Sequence, residues 1–276
     1  MRRALHPWNT DFVWSDHTGD RSTISADQAR AFDEVGYFVF EDAFDASTLA
    51  RLDAELVPGD EQAREFLSAL PGGRLGVTGL DSQIVAPHAV ARSEYVRGFV
   101  ADEVLAGIAA DLVGPDVRLY WDQSVFKQPD GAEPVLWHQD NGYTYTEPQA
   151  YLTCWLAIND ATPENGCVAV MPGVHRAGTL AHKSTPVGEE CWGDWSEAIE
   201  VPVRAGSVVV FSSLTPHATK RNATRDVRKA YIVQYAPDGA AAQYGDPAAG
   251  PPTRTEVLGD EKWRYWIVRD GVRVEP

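Results

Sequence analysis

Residue periodicity changes at Pro115, and that change restricts the fold more than any other feature of the chain. Downstream, the apolar runs are short, rich in Val, Ile, Tyr and Trp, and separated by Gly, Pro or Asn. They are Val117 to Lys127, Tyr151 to Ile158, Cys167 to Met171, Ile199 to Val203, Ser207 to Ser212 and Ala230 to Tyr235. Runs of this kind read as strands, whose side chains alternate between two faces. Strands at this spacing predict a sandwich or barrel rather than a parallel α/β sheet. Upstream, the pattern is helical. Ser25 and Gln28 form a capping box, Ala29, Phe32 and Val35 recur at helical spacing, and Gly36 ends the helix. Tyr37 to Phe40 reads as a strand, with further helices near Ser47 to Leu56 and, as one longer element, Ser93 to Val113. Asp238 to Pro252, rich in Ala, Gly and Pro, reads as a loop. The expectation is one domain over 1–276, mainly β with N-terminal helices. Helical support over roughly 22–113 would carry a jelly-roll core over roughly 115–236.

Composition narrows the function classes. A chain of 276 residues with 44% hydrophobic and 23% charged residues can fill a sizeable core and is not disordered. No run approaches the roughly 20 apolar residues that span a bilayer, and the N-terminal stretch has no apolar signal core. A cytoplasmic protein without a membrane partner is expected. Cys154, Cys167 and Cys191 are odd in number and lack C-x-x-C spacing, which argues for buried thiols over disulfides or a zinc cluster. The net charge of −16, from 24 basic and 40 acidic residues, would repel nucleic acid. The segment Lys220 to Lys229 is nevertheless locally basic and could hold a small dicarboxylate.

The chemistry-bearing residues cluster in the β half. In an extended Trp137-His138-Gln139-Asp140, His138 and Asp140 point to the same face and can offer an imidazole nitrogen and a carboxylate oxygen to one metal. His217, after the strand Ser207 to Phe211, is the best third ligand. Two His and one carboxylate with open positions suit a non-haem iron(II) oxygenase. Arg228 enters an apolar strand, which is costly for a cation unless paired. A 2-oxoacid carboxylate would satisfy its planar fork, although Arg225 offers the same chemistry nearby. Tyr143, Tyr145, Trp137, Trp192 and Trp195 lie in stretches that could line a substrate mouth, formed by loops Asn141 to Gln149 and Thr179 to Ser196. His175 reads as a loop-fixing residue, and His182 carries little weight.

Taken in order, these pieces resemble the phytanoyl-CoA dioxygenase family. The resemblance runs through Ser25 to Leu56, Trp137 to Asp140, Tyr151 to Ile158, Pro163 to Cys167, Met171 to His175, Ala205 to Ser207 and His217 to Arg228. It implies a cupin-like double-stranded β-helix and an iron(II)- and 2-oxoglutarate-dependent dioxygenase. The enzyme would use O₂ to oxidise a small organic substrate, with release of succinate and CO₂. It assigns His138, Asp140 and His217 to iron, and Arg228 and Thr219 to the distal carboxylate of 2-oxoglutarate. Trp155 becomes a wall of the cosubstrate pocket, Gln123 a cosubstrate contact, and Lys127 a further residue that could reach it. Asp140 argues against a halogenase, whose relatives lack that carboxylate. Hydroxylation of a natural-product intermediate is the leading expectation. An acyl-CoA hydroxylase, a metal-dependent cupin-type isomerase and a jelly-roll binding module stay open, as does the oligomeric state.

Overall fold

The strand pattern after Pro115 forms two antiparallel sheets packed face to face, in a computed structural model that describes residues 3–131, 133–259 and 263–276. The larger sheet runs, in spatial order, Tyr37–Phe40, Val208–Ser212, Leu152–Ala157, Arg228–Pro237, Val117–Lys127 and Gln83–Pro87, continued by two-residue strands at 78–79 and 74–75. The smaller sheet runs Ile199–Val201, Val168–Val170, His217–Thr219 and Val135–His138.

Strand alternation divides the larger sheet into two environments. Leu152, Cys154, Leu156, Val208, Val210, Tyr231 and Val233 face the helices and join Leu52, Leu56, Leu105 and Ile108 in one buried cluster. Trp155, Ala157, Val209, Phe211 and Ala230 face the smaller sheet and pack with Val168 and Val170. The jelly roll therefore has a sealed outer layer and an inner space between sheets, where polar side chains can gather.

The helical support over 22–113 departs from expectation in two helices and in residues 74–87, which add three strands to the larger sheet. The first helix, Ala26–Val35, has the full Ser25–Gln28 capping box and a left-handed Gly36, as read from sequence. The second spans Ala46–Ser68 and continues through Pro58 well beyond Leu56. Leu49, Leu52, Leu56 and Leu67 keep one buried stripe across the proline, and that packing outweighs the lost hydrogen bond. The single helix expected over Ser93 to Val113 is instead two, Glu94–Phe99 and Glu103–Val113. Each has its own N-cap: Ser93 Oγ accepts from Val96 N at 3.1 Å, and Asp102 Oδ1 accepts from Val104 N at 2.9 Å.

The Asp238 to Pro252 loop is also corrected. Within it, Ala241–Tyr244 forms a strand between 146–147 and Arg254–Val257. Its alanines mask any alternation, and pairing overrides their low strand preference. Among the described residues, no helix is long and apolar enough to cross a membrane.

Candidate active site

Strand pairing brings the three candidate ligands together. His217 stands directly opposite His138 in the smaller sheet, with ring centroids 4.1 Å apart. Asp140 begins the short helical turn that follows, and its Oδ1 lies 3.7 Å from His217 Nε2. One ligand atom from each residue lies within 4.8 Å of the other two. Both imidazoles are oriented by the same device: His138 Nδ1 bonds Leu136 O at 2.8 Å, and His217 Nδ1 bonds Thr215 O at 3.0 Å. A backbone carbonyl only accepts, so each Nδ1 carries the proton and each Nε2 keeps its lone pair. Burial, with the His217 ring alongside, holds His138 well below the usual imidazole pKa and so in the neutral ligand form.

Asp140 is held from the larger sheet. Thr153 Oγ1 donates to its Oδ2 at 2.6 Å and in turn accepts from Gln234 Nε2 at 3.3 Å. Thr153 and Gln234 are cross-strand partners on the inner face. Sequence reading passed over both. A signal for Thr153 was present, since it lies two residues before Trp155 and therefore on the same strand face.

All seven residues singled out from sequence, Gln123, His138, Asp140, Trp155, His217, Thr219 and Arg228, line one cavity of about 490 Å³. Arg228 lies at its closed end and is 1% exposed; its Nε and Nη1 make no hydrogen bond within the protein. Its guanidinium carbon sits 5.0 Å from the centre of the Trp155 ring. Arg225, the competing cation, is exposed. Lys127 stands opposite Arg228 in the strand register, is fully buried, and donates from Nζ to Thr219 Oγ1 at 2.9 Å. Burial and then the Arg228 charge push its pKa down to about 6, while burial brings Arg228 to about 10. Among the described residues, no carboxylate pairs with either cation. Gln123 is held by Trp121 Nε1, which donates to its Oε1 at 3.0 Å.

The other end of the cavity is aromatic and was largely missed from sequence. Gln234 pairs with Trp121 and Tyr235 with Leu119, leaving Tyr120 as an extra residue in a bulge. Tyr120 and Trp121 consequently both line the cavity, joined by Val77, Pro87, Tyr143, Tyr151, Tyr244, Leu258 and Arg264. Of the five aromatic mouth candidates, only Tyr143 is among these. Trp137 packs against Trp195 at 4.8 Å, and Tyr145 stacks on His6 at 4.6 Å. The Thr179 to Ser196 stretch supplies no wall residue; its strands at 183–185 and 188–190 form a hairpin beside the mouth. His175 fixes a loop as expected, with Nε2 bonding Asp33 O at 3.1 Å.

Two imidazole nitrogens and a carboxylate, beside an inner wall with a buried guanidinium, fit an iron(II) ion and an anionic cosubstrate. The chain is 24% identical to a probable alpha-ketoglutarate-dependent hypophosphite dioxygenase of Stutzerimonas stutzeri, over 80% of this chain and 83% of that one. It is 30% identical to a methylphosphonate hydroxylase of Gimesia maris, over 55% of this chain and 56% of that one. Among solved structures, the fold matches the epimerase SnoN, crystallised with Fe³⁺, alpha ketoglutarate and nogalamycin RO. That match has a TM-score of 0.66 and 22% identity over 86% of this chain and 96% of that one. The family model described as phytanoyl-CoA dioxygenase matches residues 32–230, and the chain belongs to that family of iron- and 2-oxoglutarate-dependent oxygenases.

Proposed function

We propose that His138, Asp140 and His217 hold the iron(II), and that Arg228 receives the distal carboxylate of 2-oxoglutarate with Thr219 and Lys127 beside it. Bound iron would couple oxidative decarboxylation of 2-oxoglutarate by O₂ to oxidation of the substrate. The residues supply placement. Thr153 holds the Asp140 carboxylate, and the Leu136 and Thr215 carbonyls engage both imidazole Nδ1 atoms, which would leave the Nε2 lone pairs for the ion. Trp155 walls the cosubstrate, and Gln123, fixed by Trp121, offers its amide from the adjoining strand. The carrying observation is Arg228, a buried guanidinium with two unpaired nitrogens in the same cavity as the three ligands. A binding module or a cosubstrate-independent isomerase gives no reason to bury such a group.

The substrate is, on this reading, a small and largely apolar molecule, hydroxylated as an intermediate of secondary metabolism. A cavity of about 490 Å³ is in the range of sites that enclose drug-sized ligands, and its aromatic walls favour rings over small polyanions such as phosphonates. We place the enzyme in the cytoplasm, where its three free, buried cysteines would stay reduced. We also treat 1–276 as one unit, because helices and larger sheet share one core cluster. The test is succinate formation by purified protein. It should require iron(II), 2-oxoglutarate and O₂ together and rise when the true substrate is added from a panel of aromatic and polycyclic metabolites. Succinate formed without iron would overturn the assignment.

A further inference from the structure

The residue between the two neighbouring ligands anchors the ligand turn. Gln139 is fully buried and points away from the cavity. Its amide nitrogen donates to Gly178 O at 3.0 Å and Leu214 O at 2.5 Å, and its Oε1 accepts from Leu180 N at 2.6 Å. Its backbone N–H donates to His182 Nε2 at 3.0 Å, and His182 Nδ1 bonds Leu180 O at 2.9 Å. An N–H donor on one ring nitrogen and a carbonyl on the other admit a single neutral tautomer. Burial holds the ring down to about 4, so this form persists at neutral pH. Gly142, closing the same turn, lies against the ring, and a Cβ there would collide with the His182 imidazole.

His182 is also the root of the 183–190 hairpin. The segment before it is fixed on its far side by the N-terminal strap, through Ala181 N to Ala4 O at 2.8 Å and His6 N to Thr179 O at 2.9 Å. The hairpin turn meets the cavity mouth at Gly188. A Cβ at that glycine would lie 3.1 Å from Tyr143 Oη and 3.5 Å from Val77 Cβ, and both of those residues line the cavity. One short segment thus touches the mouth at one end and the backbone between His138 and Asp140 at the other.

We infer that His182 is a positioning residue that ties the root of this hairpin to the ligand turn, so that displacement of the hairpin at the mouth reaches the metal site. This rests on the assignment of His138, Asp140 and His217 to iron. The probes are iron(II) alone, titrated against a colorimetric chelator, and the visible absorption band of the anaerobic iron(II)–2-oxoglutarate complex. His182→Phe keeps a ring beneath Gly142 but loses the acceptor. His182→Asn is too short to reach the Gln139 N–H, whereas His182→Gln can present an amide oxygen to it. Phe and Asn should each weaken iron binding about 10- to 100-fold, the usual effect of losing a group that orients a ligand. Gln should recover most of that loss.

Gly188→Val, which forces the hairpin away from Tyr143 and Val77, should shift the absorption band in the otherwise native chain. It should add no further shift in the His182→Phe or His182→Asn background, since coupled sites are non-additive. Native-like iron affinity in both acceptor-less variants would overturn the inference. So would equal band shifts from Gly188→Val in every background, or no shift in any. A native chain that binds no iron(II) would instead overturn the metal assignment beneath it.

Discussion

The two ends of the cavity differ in how much of the chain they draw on. Arg228, Lys127, Thr219, Trp155 and the three candidate ligands all lie within the family-matched stretch of residues 32–230. The mouth borrows Ala242, Tyr244, Leu258 and Arg264 from beyond that stretch, and Val77 and Pro87 from the helical half. The closed end gathers its buried polar groups on paired strands and on the turn that carries Asp140. The mouth is assembled from the Tyr120 bulge, the Ala241–Tyr244 strand and loop residues, with Tyr120, Trp121, Tyr143, Tyr151 and Tyr244 among its walls. Such a division lets substrate choice vary while the oxidising apparatus stays constant.

The sharpest way to break this comparison is at the ligands. His138→Ala or His217→Ala should lose iron binding and all turnover while circular dichroism and melting remain near native; detectable succinate formation by either variant would sink the assignment. Next in size is Arg228→Ala. Removing one partner of a semi-enclosed, charge-assisted pair costs about 2–5 kcal/mol, roughly 30- to several-thousand-fold in the apparent 2-oxoglutarate constant. Iron binding should hardly change. Arg228→Lys should restore only part, because an ammonium lacks the planar fork. Arg225→Ala, at an exposed position, should be nearly silent; the reverse ranking would move the cosubstrate elsewhere.

The smallest effect belongs to the mouth. Tyr244→Ala should raise KM for the substrate by about 2- to 12-fold, the equivalent of one aromatic contact of roughly 0.5–1.5 kcal/mol. The 2-oxoglutarate constant measured without substrate should stay fixed. If both constants moved together, the two ends would not be separable.

The same division describes what could be read from sequence. At the closed end, period-two alternation grouped His138 with Asp140, whose ligand atoms lie close together, and an arginine in an apolar strand stood out, whose Nε and Nη1 are buried without a protein partner. The capping box at Ser25 was legible because it is a local hydrogen-bond pattern. Of the mouth, only Tyr143 was legible. Tyr120 reaches the cavity through a one-residue register shift, which leaves no mark on hydrophobic pattern. The Ala241–Tyr244 strand exists only because it is paired on both sides. Trp137 looked like a mouth residue by position, yet it is 7% exposed and packs outside the cavity. His182 makes its contact 43 residues away along the chain, beyond any local motif, whereas Thr153 shares a strand face with Trp155 and was open to reading.

The register that sets Lys127 against Arg228 has a consequence in proton counting. With its pKa near 6, Lys127 is mostly neutral at neutral pH in the folded protein but protonated in the unfolded chain, whose lysines titrate near 10.5. Between those values the unfolded state binds the extra proton, so this lysine destabilises the fold as pH falls from 10.5 towards 6, and the loss is complete below 6. A dicarboxylate beside it reverses the preference by favouring the ammonium form. On the functional reading above, cosubstrate binding near neutral pH therefore draws a proton from solvent. Its affinity weakens as pH rises above 6, up to the raised pKa of the bound state. On that reading the closed end would take up its dicarboxylate together with a proton.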